Sequence, residues 1–432
     1  MSYNLTIKEF QGGVLMKKLV CLLLTIALLV GMSACASNTG STGNVPSGQP
    51  SPTGTTNPGG ESDSGNTDPY KIGVFLRFSD EAGTKMRAVI GKAVANINEN
   101  GGINGHQIEP IFYDTEGDSA KGIDAFTRLA TQDNVLLAIG PTTSGVALAV
   151  IDQAAQYKMP MITPQSTNTS ITKDYGNEWF FRNSVADVYH SYTLADYLVK
   201  DLGAKRIAIF HETATLGLGQ YENLAARLKD EHGIEPVIVQ EWNEGDVDFK
   251  TQLLAIKAAQ PEAIVFAGHE AELSIAVSQR LEVGIPKDVH MLGFSSMSSS
   301  DFYGVAKDAA VGAIFTTTFS PTDPREDIKK FVSEYSSVIN GGLDHNSAQA
   351  YDTVQLIAEV LKGLELGNTS ATLEADRTAI RDALSNVKGY VGLTGVTTFG
   401  PGGGPEDRDG KKTCTVYQLQ PDYTWSPLKA AE

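Results

Sequence analysis

Ile72-Gly73-Val74-Phe75-Leu76 opens the stretch that decides the fold. This apolar run reads as a strand (Lys71–Leu76) covered on both faces. Apolar residues at helical spacing follow from Lys85 to Asn100, and Gly101-Gly102-Ile103-Asn104-Gly105 then breaks the helix. A second β-rich run, Gln107–Tyr113, comes next. Strand, helix and strand in that order form a βαβ unit, which predicts parallel strands in an α/β protein.

The same alternation continues down the chain. Further strands are predicted at Val135–Ile139, Met159–Ile162, Arg206–Phe210, Pro236–Gln240, Ala263–Phe266 and His290–Leu292. Amphipathic helices separate them, as in Tyr189–Leu202, where Leu194, Tyr197, Leu198 and Leu202 recur on one face. Ala348–Leu364 is expected to be the longest helix, and a Gly-rich tail ends in a strand at Thr415–Leu419. Two groups of four βα units suggest two similar lobes.

Upstream of Tyr70 the texture differs. Lys17-Lys18, the apolar run Leu19–Val30 and the small residues up to Cys35 have the layout of a secretory signal, and the run is too short for a comfortable spanning helix. Residues 1–15 add nothing to that signal, so Met16 is the expected start of translation. From Ala36 to Asp68, 27 of 33 residues are Gly, Ser, Thr, Pro or Asn, a composition that cannot bury a core. A coil of that length spans roughly 30 Å. Residues 1–34 therefore read as a signal peptide and 35–69 as a tethered linker.

The chain has 432 residues and a formal charge of −17. Residues 1–35 hold Lys8, Lys17, Lys18 and Glu9, a net of +2, which leaves −19 for the remainder. Such an acidic protein is a poor partner for nucleic acid or anionic lipid. Three cysteines make no disulfide framework. Cys414 reads as a buried free thiol in a strand.

Met32-Ser33-Ala34-Cys35 resembles the end of a bacterial lipoprotein signal, which implies lipidation of Cys35; Met32 stands where Leu is more usual. The region from Tyr70 to Tyr423 resembles the branched-chain amino-acid (Leu/Ile/Val) binding proteins of ABC importers. The residues that carry this are Ile72–Leu76, Ala93–Gly105 and Tyr113-Asp114, then Ala138–Pro141 with Ser144, and Pro160–Pro164. Phe181-Arg182, Asp248-Phe249 and Ala350-Tyr351-Asp352 extend it. The resemblance implies a type I periplasmic-binding fold whose two lobes each hold a parallel-type sheet flanked by helices. Lobe one would be 70–185 with 320–395, and lobe two 186–319 with 396–432, joined by a three-segment hinge around the ligand cleft. It also implies a monomer that takes a small-molecule solute, works with ABC permease and ATPase subunits, and is held to the membrane by lipid, without cofactor or metal.

Carried over by position, Ser144 would bind the ligand carboxylate with Thr143 beside it, in the strand-to-helix turn Gly140-Pro141-Thr142-Thr143-Ser144. Gln165, Ser166 and Thr167 would hold the amino-acid head; read alone, both turns are also ordinary helix caps. In the second lobe Leu216 and His269 stand where the family has aromatic residues, and Ser295 where it has the acid that pairs with the ligand ammonium. Either Glu212 or Glu270 substitutes for that acid, or the ligand lacks an α-ammonium. Arg77 could fork a second carboxylate and Phe78 could wall an apolar side, or Arg77 is simply solvated.

Enzyme signatures do not emerge: the chain has no Gly-x-Ser-x-Gly, no Walker A loop and no His-Glu-x-x-His. Gly217-Leu218-Gly219 lacks the third glycine of a dinucleotide fingerprint, and Gly400–Gly410 reads as a solvated hairpin loop. The reading is a solute-binding lipoprotein of an importer that captures an amino acid or related carboxylate. Alternatives are a sensor subunit of the same fold, or a binder of an amide or an aromatic or aliphatic acid.

Overall fold

The computed structural model describes residues 66–339, 342–402, 405–410 and 412–429. The expected signal, Cys35 and most of the linker lie outside the described residues. Strand β1 (Tyr70–Leu76) leads to α1 (Glu81–Glu99), β2 (Ile108–Asp114), α2 (Ser119–Thr131), β3 (Leu137–Ile139), α3 (Ser144–Gln156), β4 (Met161–Thr163) and β5 (Phe180–Arg182). The five strands form one parallel sheet in the order β2-β1-β3-β4-β5.

A second sheet follows through α4 (Asp187–Asp196), β6 (Ile207–Glu212), α5 (Thr215–His232), β7 (Ile238–Trp242), α6 (Lys250–Ala258), β8 (Ala263–Ala267), α7 (Glu270–Glu282), β9 (His290–Gly293), α8 (Ser300–Ala306) and β10 (Ile314–Thr317). Next come α9 (Glu326–Tyr335), α10 (His345–Lys362), α11 (Leu373–Ser385) and the hairpin β11 (Tyr390–Gly392) and β12 (Gly395–Thr397). Finally β13 (Thr415–Leu419) and β14 (Trp425–Lys429) complete the second sheet, in the order β14-β13-β10-β9-β8-β6-β7. Its last two strands run antiparallel, an edge common on otherwise parallel sheets.

Strand β1 shows why the opening run is apolar throughout. Ile72, Val74 and Leu76 point into a core shared with α1, α9 and α10, while Phe75 faces α2 and α3 on the other side. Either face would be lost if the other were left to water. Asp80 caps α1 by accepting from the Gly83 amide at 2.7 Å. Gly83 itself is required, because a Cβ there would lie 1.8 Å from the Arg77 carbonyl oxygen.

Five of the described strands escape the sequence reading: β5, β11 and β12 are three residues long and β10 four, too short for a period, and β14 carries Pro427 on a sheet edge. Among the described residues the longest helix is α1 at 19 residues, one more than α10. Helix α4 ends in a π-helical turn, Tyr197–Asp201.

The chain passes between the sheets after Arg182, after Thr317 and ahead of Thr415. Phe319 and Phe399 both pack in the first core, so the last return falls beyond residue 399 and not at 396. Asn183 ties the crossings together, donating to Thr353 Oγ1 at 3.1 Å and accepting from Thr397 Oγ1 at 2.9 Å. The tail loop differs from its expected solvated state. Asp409 is 1% exposed and accepts from Arg182 Nε at 2.8 Å, and Arg408 lies buried over the Phe181 ring. A carboxylate on a Gly-rich stretch looks solvated in sequence because its partner, Arg182, is more than two hundred residues away. Cys414 is free and buried, just ahead of β13, with its sulfur 3.3 Å from His190 Nδ1.

Candidate ligand-binding site

The carboxyl ends of strands from both sheets face one another, and a narrow cavity lies between them. About 40 Å³ of it is open to the centre of a water molecule, room for roughly three waters' worth of atoms. The first lobe supplies Asp80 and Ala82 from α1, Thr142, Thr143 and Ser144 from the start of α3, Gln165 and Thr167 after β4, and His345 and Gln349 from α10. Leu216 and Gln220 on α5, His269 and Glu270 at the start of α7, and Ser295 and Ser296 after β9 come from the second lobe.

The turn after β3 depends on Gly140, whose φ of +132° and close approach to the Phe75 carbonyl admit no side chain. Its neighbours are then fixed by hydrogen bonds. Thr163 Oγ1 and Ser166 Oγ donate to the Pro141 carbonyl at 2.6 and 2.9 Å, and Thr142 Oγ1 accepts from the Arg77 amide at 3.1 Å. Ser144 Oγ accepts from the Asn168 amide at 3.3 Å. Thr143 Oγ1 is left without a partner at the amino end of α3, where the helix dipole favours an anion.

Opposite this turn, His269 Nδ1 lies 2.7 Å from Glu212 Oε2, and its amide donates to the same oxygen at 3.2 Å. Burial alone would lower the pKa of His269, but the hydrogen bond and charge of Glu212 outweigh it and raise it to about 9. Burial likewise works to raise Glu212, and His269 reverses the effect and keeps it below the usual range. Glu270 lacks such a partner: burial pushes it up to about 7, against the attraction of His269. Burial also raises Asp80, and lowers His345 to about 4, so that His345 is neutral.

Of the residues expected from sequence, Thr143, Ser144, Gln165, Thr167, Leu216, His269 and Ser295 line this cavity. Three do not. Ser166 spends its hydroxyl on Pro141. Phe78 packs against Phe112 under the Arg87 guanidinium, on the outer core. Arg77 is neither in the cavity nor simply solvated; its Nη2 donates to Glu244 Oε1 at 2.9 Å, bridging the two lobes. Asp80, Gln220, His345 and Gln349 were missed by sequence reasoning. Asp80 carries a helix-cap signal only, and His345 and Gln349 are brought in by a helix remote in sequence.

The lobes meet through further polar contacts. Asn168 Nδ2 donates to the Thr215 carbonyl at 2.8 Å, and Ser298 Oγ lies 2.8 Å from His345 Nδ1. Lys85 Nζ donates to Ser300 Oγ at 2.6 Å and Asp301 Oδ1 at 3.0 Å across the cleft, and pairs with Asp344 at 3.4 Å on its own side. This is a closed cleft. No group of three or more metal-ligating side chains is placed to hold an ion among the described residues.

Residues 69–424 match the periplasmic binding protein family. The chain belongs to that family. A Leu/Ile/Val-binding protein, BraC3, of Rhizobium johnstonii is 28% identical over 291 residues, covering 67% of this chain and 76% of the relative. The leucine-, isoleucine-, valine-, threonine-, and alanine-binding protein of Pseudomonas aeruginosa is 25% identical over 348 residues, 80% of this chain and 88% of its own. In structure, the branched-chain amino acid transporter substrate binding protein LivJ of Streptococcus pneumoniae, in complex with isoleucine, matches with a TM-score of 0.74 and 26% identity over 84% of this chain and all of its own. A solute binding protein of an ABC transporter from Rhodopseudomonas palustris, in complex with 3,4-dihydroxy benzoic acid, has the same fold at a TM-score of 0.73 and 21% identity, covering 85% and 97%.

The fold is the type I periplasmic-binding fold. Periplasmic binding proteins of this kind bind small solutes outside the cytoplasm and work with ABC permeases; they are solute-binding proteins, not enzymes. Among the described residues no helix is long and apolar enough to cross a membrane.

Proposed function

We propose that this chain is the lipid-anchored receptor of an ABC importer, tethered through Cys35 and capturing a small carboxylate-bearing solute, an amino acid or close relative, between its lobes. The observation that carries this reading is the amino end of α3, where Thr143 Oγ1 has no partner, lining with Ser144 and Asp80 of the first lobe the same closed polar cavity as Glu270 of the second. An anionic group is favoured at the helix end and a cationic one at the carboxylates.

Capture works by differential affinity: a solute that touches both lobes binds the closed form better and so shifts the open–closed equilibrium. A 33-residue stretch rich in Gly, Ser, Thr, Pro and Asn separates Cys35 from the lobes, and such a composition suits a tether that lets the receptor meet a permease in the same membrane. Thermal unfolding with a panel of amino acids, amides and aromatic or aliphatic acids is the direct test. A true ligand at 1,000 times its Kd stabilises by about 4 kcal/mol. If no small molecule raises the melting temperature and none is retained in native mass spectrometry, the receptor reading fails. Radiolabelled palmitate incorporation that is lost in Cys35→Ala checks the anchor.

A further inference from the structure

Few aliphatic side chains line the cavity. Of its fifteen lining residues, Ala82 and Leu216 alone are aliphatic. The rest are hydroxyls, amides, two carboxylates and two imidazoles. A Leu, Ile or Val side chain placed here would strip water from these groups and return no hydrogen bonds, at a cost for each group left unpaired.

The unsatisfied atoms show what would be returned instead. Gln220 is 2% exposed and Gln349 4%, and the side-chain oxygen of each has no hydrogen-bond partner. Gln220 spends its nitrogen on Asp187 Oδ1 at 3.2 Å, which leaves the oxygen as its free group. Glu270 adds a third acceptor group to this small space, and Asp80 a second carboxylate that already accepts from the Gly83 amide at 2.7 Å and pairs with Arg77 Nε at 3.4 Å; no lysine or arginine lines the space among the described residues. The one cation, His269, is already tied to Glu212. An acceptor-rich space of this kind matches a solute rich in N–H and O–H donors. A second ligand carboxylate would meet carboxylates and amide oxygens without a free counter-charge.

We infer that the solute is a small zwitterionic amino acid with a hydroxyl or amide side chain, its ammonium held by Glu270 and Asp80 and its side chain by Gln220 and Gln349. This rests on the receptor reading above. It places the ammonium partner at the start of α7 and not on the loop after β9, where Ser295 offers only a hydroxyl.

The test is calorimetric titration of the whole chain, stripped of any carried ligand, with serine, threonine, asparagine and glutamine. Leucine, isoleucine, valine, aspartate and glutamate form the comparison set. At least one of the first four is expected to bind ten or more times tighter than any of the others. Glu270→Gln should weaken that ligand at least tenfold, and Ser295→Ala less than threefold. The inference is overturned if a branched-chain or dicarboxylic amino acid binds as tightly, or if Glu270→Gln, folded by its melting curve, binds within threefold of the parent. The ranking on the unaltered chain stands whether or not the variant folds. Should none of these amino acids bind while another small molecule of the thermal panel does, the inference is overturned and the receptor reading stands; if no small molecule binds at all, the receptor reading itself has failed.

Discussion

Removing the Asp409 carboxylate probes how the tail loop supports the binding turn. Arg182 and Asp409 are 0% and 1% exposed, and Nε and Oδ1 lie 2.8 Å apart. At that distance the gross attraction is about 6 kcal/mol for an effective dielectric of about 20. Desolvating both ions offsets most or all of it, so the pair itself adds little net stability. Breaking it is another matter, because Asp409→Ala leaves a buried guanidinium without its counter-ion at a cost of about 3–5 kcal/mol. Arg182 Nη1 also donates to the carbonyls of Asn168 at 2.7 Å and Ser166 at 3.3 Å, so the same guanidinium shapes the turn that carries Gln165 and Thr167. Urea unfolding of the variant should show that loss, with a fall in melting temperature of roughly 4–7 °C. Pairing it with Arg182→Met should not restore the parent's stability, since the two carbonyls then lose their donor. A loss under about 1 kcal/mol in Asp409→Ala, or full recovery in the double variant, would refute this account.

Two other outcomes follow from the site. His269 has a folded pKa of about 9 against 6.5 unfolded, so its pairing with Glu212 stabilises fully below pH 6.5 and is lost as pH rises through 9. The shift corresponds to about 3 kcal/mol as an upper figure; urea midpoints from pH 6 to 10 should fall over that window in the parent and stay flat in His269→Gln, and a parent midpoint that rises with pH would contradict the assignment. Lys85, with a side chain 1% exposed, touches Ser300 and Asp301 across the cleft but does not line the cavity, so Lys85→Met should penalise the closed form by about 1.5–3 kcal/mol and weaken ligand roughly 10- to 150-fold. Small-angle scattering should show a larger ligand-free radius for that variant, and unchanged affinity would mean that the contact does not contribute to closure.

The architecture was readable because its signals are local. A run such as Ile72–Leu76 is apolar at every position, since α1 and α10 cover one face and α2 and α3 the other, and a short run of this kind between helical periods is the pattern of a strand in a parallel sheet. The elements that were missed lack those signals. Phe180–Arg182 has three residues, and Trp425–Lys429 pairs with one strand only, so neither needs a continuous apolar pattern. Arg182 and Asp409 each look like surface charges in sequence, and only the crossing of the tail back over β5 makes them a buried pair.

For the site, legibility followed the distance between a residue and its own strand end. Thr143, Ser144, Gln165 and Thr167 sit in turns directly after β3 and β4, so a turn motif locates them without knowledge of the other lobe. Residues after Arg77 follow β1 just as closely, yet Arg77 and Phe78 turn away, because Asp80 must cap α1 and the Arg77 carbonyl packs against Gly83. What the sequence could not place is charge across the cleft. Ser295 holds the position where an acid was expected, and Glu212 and Glu270 stood as substitutes that the sequence alone does not separate, Glu270, one residue past His269, reading equally as an ordinary first-turn acid of a helix. Only when β8 and β9 lie side by side does the start of α7 reach the same space as the loop holding Ser295. On the inference that Glu270 holds the ligand ammonium, a carboxylate has moved between neighbouring strand ends to serve one ligand atom, and its three-dimensional placement, not its motif position, is what the Glu270→Gln titration reads.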